Sequence, residues 1–267
     1  MIAQPKAASA EPLVLVHRDD ATMHLTMNRP QARNALSVGL MTALEAAIDE
    51  ASADPATRVV VISGAGPAFC AGHDLKEIRA NPGEEVYRKL FSQCARLMTK
   101  IVRLPKPVIA RVHATATAAG CQLVATCDLA VAAETAQFAT PGVNIGLFCS
   151  TPMVALSRAV GRTASMEMLL TGDMVPAARA RELGLVNRVV APADLDKTVA
   201  DLAKQIAAKS PLTLKIGKEA FYRQAEMGLD DAYAYAAEVM TRNMMAKDAE
   251  EGIDAFIQKR HPTWCGA

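Results

Sequence analysis

The sequence predicts an α/β core followed by a helical C-terminal region, and three observations carry that prediction. Short β-branched runs alternate with amphipathic stretches in the first half, which implies parallel strands joined by helical crossovers. From Met153 onward the pattern is almost wholly helical, punctuated by Gly172-Asp173, Gly184 and Ser210-Pro211. No low-complexity linker and no internal repeat divides the chain. The expected organisation is a loose tail over 1–12, the α/β core over 13–200 and the helical region over 201–267.

Taken in order, Leu13 to His17 and Met23 to Met27 alternate apolar and polar residues around Asp19-Asp20, the pattern of a hairpin. Ser37 is placed to cap a helix whose apolar face is Leu40, Met41, Leu44, Ala47, Ile48 and Ala51. Arg58 to Ser63 contains Val59-Val60-Val61-Ile62, a run suited to a strand buried on both faces. Glu84 to Leu104 reads as a long helix with Val86, Leu90, Cys94, Leu97 and Ile101 on one side. Val108 to Val112 and Asp128 to Ala133 are further buried strands, the second preceded by a short helix that begins near Ala119.

At 267 residues, 51% hydrophobic and 21% charged, the chain can bury a sizeable core as one or two compact domains. Twenty-nine Lys and Arg balance twenty-eight Asp and Glu, so no global field draws in nucleic acid or an anionic membrane. Neither is expected as a partner. No apolar run reaches the roughly 18 residues of a membrane span. Met1 to Pro12 has one Lys, no Arg and no continuous apolar stretch, unlike a secretory or transit segment. Cys70, Cys94, Cys121, Cys127, Cys149 and Cys265 form no C-x-x-C pair and have no His at zinc-site spacing. The expectation is no metal, reduced thiols packed as small apolar side chains, and a cytoplasmic protein.

Two segments carry chemistry. Ser63-Gly-Ala-Gly-Pro-Ala-Phe-Cys-Ala-Gly-His-Asp-Leu75 follows a buried strand and opens a helix. Gly64-x-Gly66 suggests a dinucleotide loop, but Phe69 fills the third small position and Pro67 removes an N–H that a phosphate would need. A structural glycine turn is the other reading. The second segment, Pro107-Val-Ile-Ala-Arg-Val-His-Ala-Thr-Ala-Thr-Ala-Ala-Gly-Cys-Gln-Leu123, again runs from strand to helix. Its small residues suit close packing on a sheet, and a helix N-terminus there supplies free N–H groups.

Together these strings resemble the two signatures of the enoyl-CoA hydratase/isomerase (crotonase) superfamily. Further similarities are Asn28-Arg-Pro, Ala32-Arg-Asn-Ala-Leu36, Leu170-Thr-Gly-Asp173, Gly184-Leu-Val-Asn187 and Phe256-Ile-Gln-Lys-Arg260. The resemblance implies a spiral of ββα turns with a helical C-terminal trimerisation region, assembled as a homotrimer or a dimer of trimers. It implies an acyl- or enoyl-CoA thioester as substrate, with no permanently bound cofactor. The thioester oxygen would sit between the backbone N–H groups of His73 and Ala119. Coenzyme A would pass Ala32 and Arg33, then Ala71, His73, Asp74, Leu75 and Lys76, and approach Gly120. Phe256 and Lys259 of a neighbouring subunit would help. Asp74 would hold the loop or cap the next helix.

The departures bear on catalysis. Where hydratases of the family hold water between two glutamates, this chain has Gln122 and Gly142, and where some isomerases carry an aspartate it has Ser150. None of the three ionises as an acid, so standard hydratase activity should be largely lost. Candidates for a substitute base or nucleophile are His73, Asp74, Asn144, Cys149 and Ser150, while His17, His24, His113 and His261 match no catalytic position. Three functional classes follow: an enzyme on acyl-CoA thioesters with atypical acid/base groups, a non-catalytic acyl-CoA binder, and a nucleic-acid binder, against which the balanced charge argues.

Overall fold

The computed structural model describes residues 11–267. The expected tail over 1–12 therefore falls almost wholly outside the described residues. The chain enters as an antiparallel hairpin, β1 (Val14–Asp19) and β2 (Thr22–Met27), turning through Asp20 at φ +49°. Helix α1 (Val38–Ala53) begins where the Ser37 hydroxyl accepts from Leu40 N–H, and it buries the six apolar residues expected of it. Strand β3 (Val59–Gly64) pairs parallel with β2. The short α2 (Leu75–Ala80) and long α3 (Glu84–Arg103) lead to β4 (Val108–Val112). Val86 does not share the buried face of α3. It is 43% exposed, because the buried stripe begins one turn later at Leu90.

Each long strand is then followed by a short one. β4 is followed by β5 (Ala116–Thr117) and α4 (Ala119–Thr126), and β6 (Leu129–Ala133) is followed by β7 (Gln137–Ala139). After α5 (Pro152–Ala159) and α6 (Arg162–Thr171) come β8 (Val175–Pro176), α7 (Ala177–Glu182) and β9 (Arg188–Val190). The long strands make a six-stranded sheet in the order β1-β2-β3-β4-β6-β9, parallel after the first pair, and the short ones make a second sheet, β5-β7-β8. Two isolated bridges, Cys70 to Ala116 and Leu36 to His73, carry that second layer back towards α1. Helices α8 (Leu195–Ala207), α9 (Pro211–Gln224), α10 (Leu229–Met244) and α11 (Lys247–Ile257) complete the chain. This is the expected crotonase-like spiral with a helical C-terminal region. The stretch after Met153 is less uniformly helical than its pattern suggests, since β9 adds the edge strand of the main sheet.

The β-branched run in β3 is buried on both faces. Val60 and Ile62 enter the main core with Leu40, Leu44 and Phe69, while Val59 and Val61 meet Leu195, Val199 and Leu202 of α8 on the other side. Burial of each such side chain stabilises the fold by roughly 1.5–3 kcal/mol. α9 is fixed to the core by a polar knot. Lys218 Nζ donates to Asp128 at 2.7 Å and to the carbonyls of Ile101 and Lys106, and Tyr222 Oη donates to the other Asp128 oxygen at 2.9 Å. Burial lowers the Lys218 pKa despite the facing carboxylate. No helix among the described residues is long and apolar enough to cross a membrane.

Candidate functional site

The two motif segments meet where the second layer of the spiral reaches α4. Cys70 and Ala116 bridge, Thr117 N–H donates to the Cys70 carbonyl at 2.9 Å, and Phe69 N–H donates to the Thr115 carbonyl at 3.0 Å. A Cβ on Gly72, whose φ is +97°, would stand 2.9 Å from Ala118 Cβ and 3.5 Å from Ala119 N. A Cβ on Gly120 would stand 2.1 Å from the Cys70 carbonyl oxygen. Both glycines are there because backbone touches backbone. Ala118 itself is held at φ +48°, ψ −118°, an alanine in glycine territory. Strain of about 1–3 kcal/mol is stored there, directly before the first N–H groups of α4.

The consequence is a pair of backbone donors. Neither His73 N–H nor Ala119 N–H has an acceptor among the described residues, although Leu36 N–H bonds to the Gly72 carbonyl at 2.7 Å and Gln122 N–H to the Ala118 carbonyl at 3.0 Å on either side. Ala119 is 1% exposed and begins an eight-residue helix. One opens α4 and the other precedes the cap of α2, and unengaged N–H groups of this kind are suited to an oxygen that carries partial negative charge.

The flanking loop is rigid. Asp74 accepts from the N–H groups of Lys76 and Glu77 as the cap of α2, and pairs at 2.9 Å with Arg29, which also holds the Ala35 carbonyl. Burial alone would raise the Asp74 pKa, but the Arg29 hydrogen bond and the cap bonds together hold it below the usual carboxylate range. Asp74 is thus a structural anchor. Asn34, fully buried, donates to the carbonyls of Ala65 and Ala68, and Ala71 N–H donates to the Arg33 carbonyl. This stitches Ala32 and Arg33 beside Ala71–His73. Gly64 and Gly66 are explained by packing as well: a Cβ on Gly66 would stand 2.5 Å from Pro30 Cβ, which favours the structural turn over a dinucleotide loop. Arg33 and Lys76 are exposed and have no ion-pair partner among the described residues. Leu75 beside them is 49% exposed.

The candidate acid/base positions look different. Gln122 is 4% exposed on α4, and its Oε1 lies 3.8 Å from the Cys94 thiol. It lines a cavity of about 870 Å³ between α4, α3, α5 and α9. Gly142 sits in a buried 3-10 turn, Pro141–Ile145, and its N–H donates to Cys149 Sγ at 3.3 Å. A Cβ there would stand 2.5 Å from the Leu147 carbonyl oxygen and 2.9 Å from Cys149 Sγ. The loop 147–149 occupies the space that a side chain would need. Gly142 does not have a positive φ, so the obstacle to Gly142→Glu is steric, not a left-handed conformation reserved for glycine.

None of the substitute candidates is an evident base. Burial pushes the Cys149 thiol up, so it stays protonated. Ser150 is exposed and its hydroxyl reaches only the Phe148 carbonyl at 3.4 Å, and Asn144 is exposed. The His73 imidazole is buried with both nitrogens unpartnered, edge-on to Phe91 at 5.6 Å, and burial lowers its pKa, leaving it neutral at pH 7. Phe256 and Lys259 lie on and just beyond α11, which packs on α9 and α10, and Phe256 is 85% exposed. No group of His, Cys, Asp and Glu suited to a metal occurs among the described residues. The orientation of Gln122 by Cys94 left no signal in the sequence because that contact joins two different helices, and the plug over Gly142 left none because a loop that folds back within seven residues has no periodic pattern.

Residues 17–267 match the enoyl-CoA hydratase/isomerase family. The chain is 46% identical over 253 residues to the mitochondrial enoyl-CoA hydratase domain-containing protein 3 of Xenopus laevis, covering 95% of this chain and 86% of that one. It is 42% identical to the Homo sapiens protein of the same name, over 98% of this chain and 84% of that one. A solved enoyl-CoA hydratase from Mycobacterium smegmatis superposes with a TM-score of 0.93 at 55% identity, covering 95% of this chain and 99% of the other. The mitochondrial relatives overturn the cytoplasmic expectation. That expectation leaned on unpaired thiols, which mark a reducing environment and not one compartment.

Proposed function

Because this chain belongs to the enoyl-CoA hydratase/isomerase family, we propose that it binds acyl- or enoyl-CoA thioesters and polarises them towards the enolate, without hydrating them at hydratase rates. The observation that carries this reading is the pair of unengaged donors, His73 N–H and Ala119 N–H, on segments that touch at Gly72 and Ala118. A thioester oxygen accepting from both would gain negative charge in a water-poor pocket, where such donors are worth most. Arg33 and Lys76, exposed beside the hole, suit the phosphates of coenzyme A, and the Ala71–Leu75 backbone suits its pantetheine arm. Gln122 can position a ligand or a water but cannot take a proton, and the plug over Gly142 leaves no room for a second acid. Any turnover would need a proton acceptor other than a carboxylate, and His73 is the neutral imidazole nearest the hole in sequence.

Assembly belongs to the same proposal. Phe221, Leu229, Tyr233, Met240, Met245 and Phe256 are each more than 60% exposed on the C-terminal helices, a surface that calls for a partner. A homotrimer or a dimer of trimers would cover it and bring a neighbour's Phe256 and Lys259 to the ligand. The binding test compares butyryl-CoA with S-butyl-CoA, a thioether of the same chain length without the carbonyl, by calorimetry. The thioester should bind roughly 5- to 100-fold more tightly, the worth of two neutral hydrogen bonds. Equal affinities would overturn the hole assignment, and light scattering that finds only monomer would overturn the assembly.

A further inference from the structure

A separate cavity, of about 680 Å³, lies at the opposite edge of the main sheet from the motif loops. Arg58 and Pro107 in its lining stand directly before β3 and β4, whereas the motif loops follow the C-terminal ends of the same strands. The six residues of β3, at about 3.3 Å each, put roughly 20 Å between the two places. The lining carries three cations, Arg58, Lys106 and Lys215, and no carboxylate. Two of them are held by neutral groups: Arg58 donates to the Ala207 carbonyl at the end of α8, and Lys106 to the carbonyls of Ala51 and Asp54 at the end of α1. Carbonyls at a helix C-terminus offset only a fraction of a unit charge. The Asp54 carboxylate itself is taken by Arg18 at 2.7 Å and by Thr57. Burial, with Arg18 nearby, lowers the Lys106 pKa despite Asp54, as expected of a cation short of counter-charge. Lys215 is exposed and has no ion-pair partner among the described residues.

The first turn of α9 adds a donor, because the Ser210 cap serves Thr213 and the Leu212 N–H has no acceptor among the described residues. The rest of the wall is apolar and stiff. Pro55, Pro107 and Pro211 line it, and Trp264 is fixed by its Nε1 bond to the Ala208 carbonyl at 2.8 Å and by contact with Gly252, where a Cβ would stand 3.2 Å from the ring. We propose that this cavity binds a nucleoside polyphosphate, its phosphates on Arg58, Lys106, Lys215 and the Leu212 N–H and its base against Trp264. A monocarboxylate would leave two cations unanswered, and an inorganic phosphate would leave the indole and the prolines unused. The site shares no residue with the His73 and Ala119 hole, so the inference does not rest on the thioester reading.

Cys265 is a built-in reporter, since it lines the cavity and is exposed while the other five thiols are buried. The full chain is titrated by calorimetry with metal-free ATP and with inorganic triphosphate, and maleimide labelling of Cys265 is timed by mass spectrometry with each. At about ten times its Kd, ATP should slow the labelling roughly 10-fold by mass action. It should bind roughly 10-fold more tightly than triphosphate, within the worth of one base stacked on an aromatic ring. Lys215→Gln should weaken ATP roughly 10-fold, the worth of one charge-assisted hydrogen bond. Trp264→Leu should bring ATP down to the affinity of triphosphate and leave triphosphate unchanged. No binding of ATP, or binding that leaves the labelling of Cys265 unchanged, would overturn the inference. Triphosphate binding as tightly as ATP would overturn it too, as would displacement of ATP by butyryl-CoA, which would put the nucleotide at the thioester site. Equal affinity for butyryl-CoA and its thioether would overturn the hole assignment and leave this inference standing. The deciding comparisons use the native protein and need no variant to fold.

Discussion

The two ends of the candidate site are made of different material. At one end, residues 70–73 and 116–120 offer backbone N–H groups, held by a β-bridge, two glycines in contact with carbonyl or Cβ atoms, and a strained alanine. At the other, residues 142–150 offer no acid: the loop folds back on Gly142, and a thiol accepts its N–H. A backbone donor survives almost any side-chain change as long as the loops still touch. A side-chain acid is lost with one substitution, and once lost the space around it can close. The difference teaches that backbone donors and side-chain acids are lost by different kinds of substitution.

The largest effect that tests this contrast is on rate. Hydration of crotonyl-CoA by the native protein should fall below that of a family member with both glutamates by about 10²- to 10⁴-fold, the contribution of a general acid/base. Hydration near 10 s⁻¹, the turnover of a median enzyme, would mean that another base acts, and His73→Ala, which keeps the backbone N–H, would identify it. Introducing Glu at Gly142 is not a fair rescue, since the Leu147 carbonyl must move first.

Next in size are the glycines. Gly120→Ala should cost about 3 kcal/mol or more in urea unfolding, because its Cβ would enter the Cys70 carbonyl at 2.1 Å, and thioester binding should go with it. Gly142→Ala should cost about 1–3 kcal/mol and spare binding, since the loop at 147–149 is exposed at its tip and can give way. Equal loss of binding in both variants would break the separation of the two ends. Smaller again, Ala118→Gly should stabilise the protein by about 1 kcal/mol by relieving the positive φ, against the usual penalty for glycine. Destabilisation in the same urea assay would show that Ala118 is not strained.

The smallest effect is acid sensitivity, and it too is one-sided. The folded pKa of Asp74 is depressed, so its contribution to stability is complete above the ordinary carboxylate value near 4 and fades as pH falls through the lower folded value. Asp248 behaves alike: burial would raise its pKa, but Ser210 and the N–H groups of Cys265 and Gly266 hold it down, and Arg260 holds Glu251 at about 2. Thioester affinity should therefore weaken as pH falls below the ordinary carboxylate value through the Asp74 anchor, while Gln122, Gly142 and Cys149 contribute no titration there. Asp74→Asn should flatten that profile. An unchanged profile would remove Asp74 from the support of the hole.

What the sequence determined by itself was whatever is local or periodic. The Ser37 cap and the face of α1 follow from spacing within one helix, the burial of β3 from four consecutive β-branched residues, and the two motif loops from strings short enough to read directly. The tertiary structure decided the rest. The two- and three-residue strands β5, β7, β8 and β9 are too short to leave a period and exist because neighbours complete their hydrogen bonds. Val86 is exposed because α3 outruns the core that its later turns bury. Ala118 packs so closely on Gly72 that a Cβ there would stand 2.9 Å from its own, Gly142 is closed because residues 147–149 return over it, and Gln122 faces as it does because Cys94 arrives from another helix. The first and last depend on which distant segment lies alongside, the second on how one short loop folds back on itself, and no residue spacing encodes either.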